Sequence, residues 1–348
     1  MKKFHLSLLL SILFTLFLVI GCSSEESGGN TQQSNQNETS DVEEKTDDGN
    51  DGDAKAIDYP QRPIEVVVPA GAGGDTDLHV RVLAKYLEEE LGQPLVVTNI
   101  TGSGGTVGTK EVYDADNDGY KVLFFHNSMI LNNILGLADY TVHDFELAGI
   151  SVFDQGNTFL VNADSKFETL QDLIDEARAN PGSVKIATEV GGFTHLQLLA
   201  LEKDQDIELN IVDVGGAAEK LTALLGGHID IVPTSLGLVK GYIESGEIRT
   251  LGIMAEERVD LMPDVPTFLE QGVNSVFEKI FFFAFPPGTP EEIVQTFSKA
   301  MENVANNEEY VNEAAEHLVT GRYMPPEEAT EYIKNLEVYY QELLEGVQ

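Results

Sequence analysis

The chain has 348 residues, enough for about two domains of ordinary size with a substantial core, and a small disulfide-stapled scaffold is excluded. Its 59 acidic residues outweigh 21 Lys and Arg, a formal charge of -38, so sequence-independent binding to a phosphate backbone would be repelled. The same field lowers the local concentration of small anions, an objection that any anionic ligand must meet.

Residues 1–22 join Lys2 and Lys3 to a fifteen-residue apolar run from Leu6 to Ile20 and then Gly21-Cys22, the layout of a secretory signal. The run is shorter than the roughly 20 residues that span a bilayer. Val19-Ile20-Gly21 before Cys22 resembles a bacterial lipobox, and Cys22, the chain's one cysteine, is the expected lipidation site. Residues 23–58 hold eleven acidic residues, two lysines and little that is apolar, so they cannot offset the entropy of ordering. They read as a disordered acidic tether with an r.m.s. span of about 30 Å.

From Tyr59 onward, short β-rich runs alternate with amphipathic stretches, which predicts an α/β fold with mostly parallel sheets. Expected strands are Ile64 to Val68, Leu95 to Thr98, Lys121 to Phe125, Phe159 to Asn162, Val184 to Thr188, Glu208 to Asp213, Ile229 to Val232, Arg249 to Met254 and Lys279 to Phe285. Most are continuous apolar runs, as strands covered on both faces should be. Expected helices include Thr76 to Leu91, Leu170 to Ala179 ahead of Pro181-Gly182, and three late stretches at 289–306, 308–319 and 325–345.

Four glycine loops follow strands and precede helices: Pro69 to Asp77, Gly102 to Gly108, Glu189 to Thr194, and Asp213 to Ala218. A strand, a glycine turn and a helix start leave backbone N–H groups at the positive end of the helix dipole, a ready anion site. In open α/β sheets such loops line the crevice at the strands' carboxyl ends. None fits a nucleotide fingerprint: Thr76 stands where the dinucleotide motif wants its third Gly, and Gly108-Thr109-Lys110 lacks the Gly-Lys order of a P-loop.

Asp114 to Gly119 copies the first half of a calcium loop, but its twelfth position is Phe125 rather than a bidentate Glu, so it reads as a polar turn. The seven histidines show no metal spacing, and no metal or other cofactor is expected. There is no Gly-x-Ser-x-Gly elbow and no cysteine nucleophile in the body. His126 and His195 fall near loops at strand ends, where a hydrogen-bonding role is the simpler reading.

With these loops in place, the body from Tyr59 to about Gln348 resembles the Bug (TctC-type) family, the extracytoplasmic solute receptors of tripartite tricarboxylate transporters. The carrying segments are Tyr59-Pro60 with Arg62-Pro63-Ile64, Gly73-Gly74-x-x-Asp77 with Arg81, Gly92 through Asn99, Gly102 to Gly108, Asp118-Gly119-Tyr120, Asp144-Phe145, Ala177 to Gly182, Leu221 to Gly227 with Asp230, Met262 to Thr267, and Pro286 to Pro290. The resemblance implies a two-lobed type II periplasmic-binding-protein fold, with lobe 1 at 59–161 and 279–348 and lobe 2 at 162–278. It implies a cleft that closes over a small carboxylate gripped by loop backbone and water, without a dedicated arginine.

Carried over position by position, the ligand-binding residues are Ala72, Gly73, Gly74, Asp75, Thr76 and Asp77 and, across the cleft, Gly215, Gly216 and Ala217. Ser103, Gly104, Gly105, His126, Asn127, Ser128, Gly191, Gly192, Phe193, Thr194, Thr234 and Ser235 complete the lining. Asp77 is expected to cap its helix rather than meet a like-charged ligand. Ala70 replaces the family's common aromatic in the first loop, and Asp213-Val214 replaces its Tyr-Lys in the fourth, so this cleft is less aromatic and less positive.

The implied function is that of a lipid-anchored receptor on the outer face of the bacterial cell membrane, which captures a di- or tricarboxylate or related acid, delivers it to membrane permease subunits and performs no catalysis. A surface sensor or adhesion domain with the same fold, or a secreted α/β enzyme, are the alternatives; the enzyme would need a nucleophile beside a group titrating near neutral pH. Residues 286–348 carry thirteen Glu against three basic residues. With the tether they place much of the negative charge beyond a Debye length of about 8 Å from a cleft, leaving the acids beside the loops, Asp213 above all, to limit the ligand's charge.

Overall fold

The computed structural model describes residues 58–260 and 262–345. The signal segment, Cys22 and the tether up to Ile57 lie outside the described residues.

The strands are β1 (Ile64–Val68), β2 (Leu95–Asn99), β3 (Lys121–His126), β4 (Glu146–Asp154), β5 (Asn157–Asn162), β6 (Lys185–Thr188), β7 (Asn210–Asp213), β8 (Val232–Ser235), β9 (Ile248–Ile253), β10 (Lys279–Phe285) and β11 (Thr320–Met324). The helices are α1 (Asp75–Leu91), α2 (Thr106–Tyr113), α3 (Ser128–Ile134), α4 (Leu170–Ala179), α5 (Phe193–Gln205), α6 (Ala217–Leu225), α7 (Leu236–Glu244), α8 (Glu291–Ala305), α9 (Glu308–Glu316) and α10 (Pro326–Leu344).

One sheet has the order β11-β4-β10-β3-β1-β2. The other runs β8-β5-β9, and a parallel bridge between Ile186 and Ile231 attaches the β6-β7 pair to the residue that leads into β8. Because β3 and β4 both pair antiparallel with β10, they point the same way as β1 and β2; β10 and β11 are reversed. In the second sheet β5 is the reversed strand among β6, β7, β8 and β9. Strands separated by helices thus run parallel, as expected, except that β5, before α4, is antiparallel to β6 after it. The first sheet changes to the second at Gln155-Gly156, between β4 and β5, so Asn162, near which a crossing is expected, ends a strand already in the second sheet.

Local chemistry accounts for the elements. All of β10, KIFFFAF, is buried, and Phe283 and Phe285 meet Phe297 of α8 at ring distances of 5.0 and 5.3 Å. At about 1.5–3 kcal/mol for each buried apolar side chain, these rings favour a central position. Helix α4 opens with a reciprocal capping box between Thr169 and Asp172, and α10 starts on Pro326 after Pro325. Lys203 of α5 donates to the carbonyls of Glu342, Leu343 and Glu345, favourable at the negative end of α10.

Two strands escape sequence reading. In β4 the register against β10 shifts twice, so the alternation that marks a strand is broken. Gly149 is required there: at φ +128° a Cβ would stand 2.6 Å from the Met324 carbonyl of β11. The second, β11, is a five-residue edge strand just past α9, inside whose expected span Leu318 turns to φ +58° and ends the helix early.

Candidate functional site

The starts of four helices meet around one small cavity of about 60 Å³. Gly74, Gly192, Gly216 and Ser235 are the N-caps of α1, α5, α6 and α7, and none makes a side-chain capping bond. Their partial positive charge therefore faces a shared space. Part of it is already used: Phe193 N–H donates to Ser128 Oγ at 2.8 Å, and Leu236 N–H to the Gly156 carbonyl. Gly216 and Ala217 N–H have no protein acceptor among the described residues.

Two lysines line the cavity, Lys279 from strand β10 and Lys220 from helix α6. Lys279 Nζ lies 2.6 Å from Asp75 Oδ2, a nearly buried ion pair. Burial pushes the Asp75 carboxyl up, but the Lys279 ammonium, with His126 and His79 nearby, holds it well below the usual carboxylate range. Lys220 is different. It is 4% exposed and donates to the Pro233 carbonyl at 3.0 Å and Thr194 Oγ1 at 3.3 Å, with no carboxylate in ion-pair contact among the described residues. Two of its three donors are engaged, leaving one. Burial and the Lys279 charge lower its pKa to about 8, against the opposing pull of Asp75, Glu189 and Glu219.

Other polar groups complete the wall. The half-buried Glu189 carboxylate accepts no hydrogen bond from the described residues, and burial raises its pKa despite Lys220. Ser235 Oγ and Asp154 Oδ2 are both buried without a hydrogen-bond partner among the described residues; Ser235 is near enough to draw the Asp154 pKa down, yet the two form no hydrogen bond of good geometry. His126 Nδ1 accepts from Ser128 N–H, and burial keeps the ring neutral, with its proton on Nε2.

Of the expected residues, Gly74, Asp75, Thr76, His126, Ser128, Gly192, Phe193, Thr194, Gly216, Ala217, Thr234 and Ser235 line this cavity. Ala72, Gly73, Asp77, Ser103, Gly104, Gly105, Asn127, Gly191 and Gly215 do not. Asp77 accepts from Gly73 N–H and Arg81, tying down the loop before α1. Asn127 clamps strand and helix, accepting from Ile280 N–H and donating to Tyr340. Gly104 instead faces Gly191 across the cleft, where a Cβ would stand 3.2 Å from the Gly191 carbonyl. Asp213, expected to limit the ligand's charge, is exposed and accepts from Gly215 N–H; the acids inside are Asp75, paired with Lys279, and Glu189.

Sequence reading missed Lys220, Lys279, Asn157 and, as wall residues, Glu189, Ala70 and Gly71. Two signals were there. Lys279 is the one charge in an otherwise apolar strand, and Lys220 sits in the first turn of a helix, where a cation opposes the dipole.

Residues 79–343 match the sequence family described as the tripartite tricarboxylate transporter family receptor, TctC. The chain belongs to this receptor family. The receptor is 30% identical over 280 residues to Protein BugT of Bordetella pertussis, a match covering 79% of this chain and 86% of that protein. It is also 30% identical over 296 residues to the UPF0065 protein in gbd 5'region of Cupriavidus necator, covering 80% and 85%. Among solved structures, periplasmic binding protein BugD superposes with a TM-score of 0.76 at 26% identity, over 82% of the receptor and 98% of BugD. MatC from Rhodopseudomonas palustris, solved with bound malate, shares the fold at a TM-score of 0.77 and 21% identity, over 82% and 100% of the two chains. An R. palustris protein solved with adipate does so at 0.78 and 24%, over 83% and 98%. The receptor is therefore a solute-binding protein of the two-lobed periplasmic type and not an enzyme. No helix of its described residues is long and apolar enough to cross a membrane.

Proposed function

We propose that the receptor captures a small organic carboxylate in this cavity, holding it on the Lys220 ammonium and the N–H groups at the start of α6. The observation that carries this reading is a buried lysine that makes no ion pair with a carboxylate among the described residues. Burying an ammonium without a counter-ion is costly, and a cation in the first turn of a helix adds to that cost. An arriving carboxylate offsets both. The malate and adipate bound by neighbours of the same fold support an organic acid as the class.

The two lobes, one built on the six-stranded sheet and the other on β5 to β9, with the change between β4 and β5 rather than at Asn162, close on the ligand through contacts such as Phe193 N–H to Ser128 Oγ. Lipid on Cys22 and the acidic tether then hold the closed receptor near the membrane permease to which it delivers its cargo. A thermal-shift screen of the complete chain against carboxylates tests the binding claim: at a hundredfold excess over Kd a ligand adds about 2.7 kcal/mol, or several degrees of Tm. A flat screen across mono-, di- and tricarboxylates contradicts it. For the anchor, Cys22→Ala should move the protein from the membrane to the soluble fraction, and unchanged partition would exclude it.

A further inference from the structure

We infer that the ligand carries one carboxylate and one cationic group, as a short amino acid does, with the carboxylate on Lys220 and the ammonium on Glu189. This rests on the reading of the cavity as a carboxylate site and narrows its class. Four charged side chains line the wall, and Asp75 and Lys279 satisfy one another at 2.6 Å. What is left is one cation and one anion, Lys220 and Glu189, each lacking an ion-pair partner among the described residues.

A site lined by buried ions must balance its charges, because an uncompensated buried ion is costly. A zwitterion gives each remaining side chain a counter-charge and leaves the total unchanged. A dicarboxylate would bring two negative charges to a single available ammonium and place one near Glu189. The small cavity, of about 60 Å³, favours a short ligand over a tricarboxylate. The orphaned Ser235 Oγ offers a further hydrogen bond at the wall.

The test is calorimetric titration of the complete chain in detergent at pH 7 with L-alanine, propionate and succinate. L-Alanine should bind at least tenfold more tightly than propionate, which differs by lacking the ammonium, and more tightly than succinate. Glu189→Gln should bring L-alanine and propionate to within about twofold of each other without weakening propionate. Propionate or succinate binding as tightly as L-alanine would overturn the inference, and so would an unchanged preference in Glu189→Gln. If Lys220→Met still loses carboxylate binding in that case, the carboxylate reading survives; if none of the three compounds binds, this inference falls, and the carboxylate reading falls with it only if the thermal-shift screen is flat as well.

Discussion

Lys279 Nζ and Asp75 Oδ2 meet at 2.6 Å across 204 residues of sequence, joining β10 to the first residue of α1 at the edge of the cavity. The pair secures the floor of the site and removes Lys279 from competition for ligand. Asp75→Asn strands a buried ammonium and should cost about 3–5 kcal/mol. The double variant with Lys279→Met should recover most of that loss in urea denaturation, whereas simple addition of two losses would show that the groups are not coupled.

The lowered pKa of Lys220 makes binding depend on pH. In the free protein burial places it near 8, and Lys279, Asp75, Glu189 and Glu219 are the charged groups acting on it. A bound carboxylate favours the charged form. Affinity should therefore be level below about pH 7 and fall as pH rises past 8. Stability moves oppositely: between about 8 and 10.5 the unfolded chain keeps a proton that the free folded protein has lost, so this group's contribution rises with pH. Calorimetry from pH 6.5 to 9.5 reads the first effect, and an affinity flat to pH 9.5 would exclude Lys220 from the contact.

Asp154 carries a separate signature. Burial raises its pKa from 3.8 to about 6, with Asp75 adding to the rise and Ser235, Gly156 N–H and Lys279 opposing it. The folded state holds this proton more tightly than the unfolded state, so the favourable contribution is full below about pH 4 and lost as pH rises through 6. At neutral pH the ionised form costs about 3 kcal/mol. Asp154→Asn should be more stable than the parent at pH 7.5, with the gap narrowing toward pH 4; a gap independent of pH would mean that Asp154 titrates normally.

Closure depends on small residues at the seam. A Cβ on Gly74 would lie 3.7 Å from Ala217 Cβ across the cleft and 3.3 Å from the Gly71 carbonyl, so the branches of Val must push the facing loops apart. Gly74→Val should remain folded, with Tm within a few degrees of the parent, yet fail to compact when ligand is added. In the parent, a ligand that favours the closed state by about 5.5 kcal/mol moves it from 1% to 99%. Parent scattering curves that superimpose with and without saturating ligand, or a variant that compacts normally, would contradict the closing cleft.

Where one physical pattern dominated, the structure was legible in the sequence. Leu170 to Ala179 and Lys279 to Phe285 have the expected bounds, the first because its cap and its following Pro-Gly punctuate it, the second because it is apolar almost throughout. Strand β4 was hidden because its bulges need Gly149 and break the period of two. Three of the four glycine loops reach the cavity, since turn chemistry places helix starts at strand ends. The charge pairing was not legible: nothing in the spacing of Asp75, Lys220 and Lys279 says which lysine keeps an acid and which is left for a ligand. The global charge of -38 was likewise a poor guide to a cavity whose four charged side chains sum to zero.

The central claim is that Lys220 holds the ligand's carboxylate. It is tested most directly by titrating the tightest-binding carboxylate compound from the screen into the parent and into Lys220→Met at pH 7. Loss of a charge-assisted hydrogen bond worth about 1.5–3 kcal/mol predicts affinity weaker by roughly 10- to 100-fold, with Tm of the free protein unchanged or higher because a buried ammonium has gone. Equal affinity in the two proteins would contradict the account.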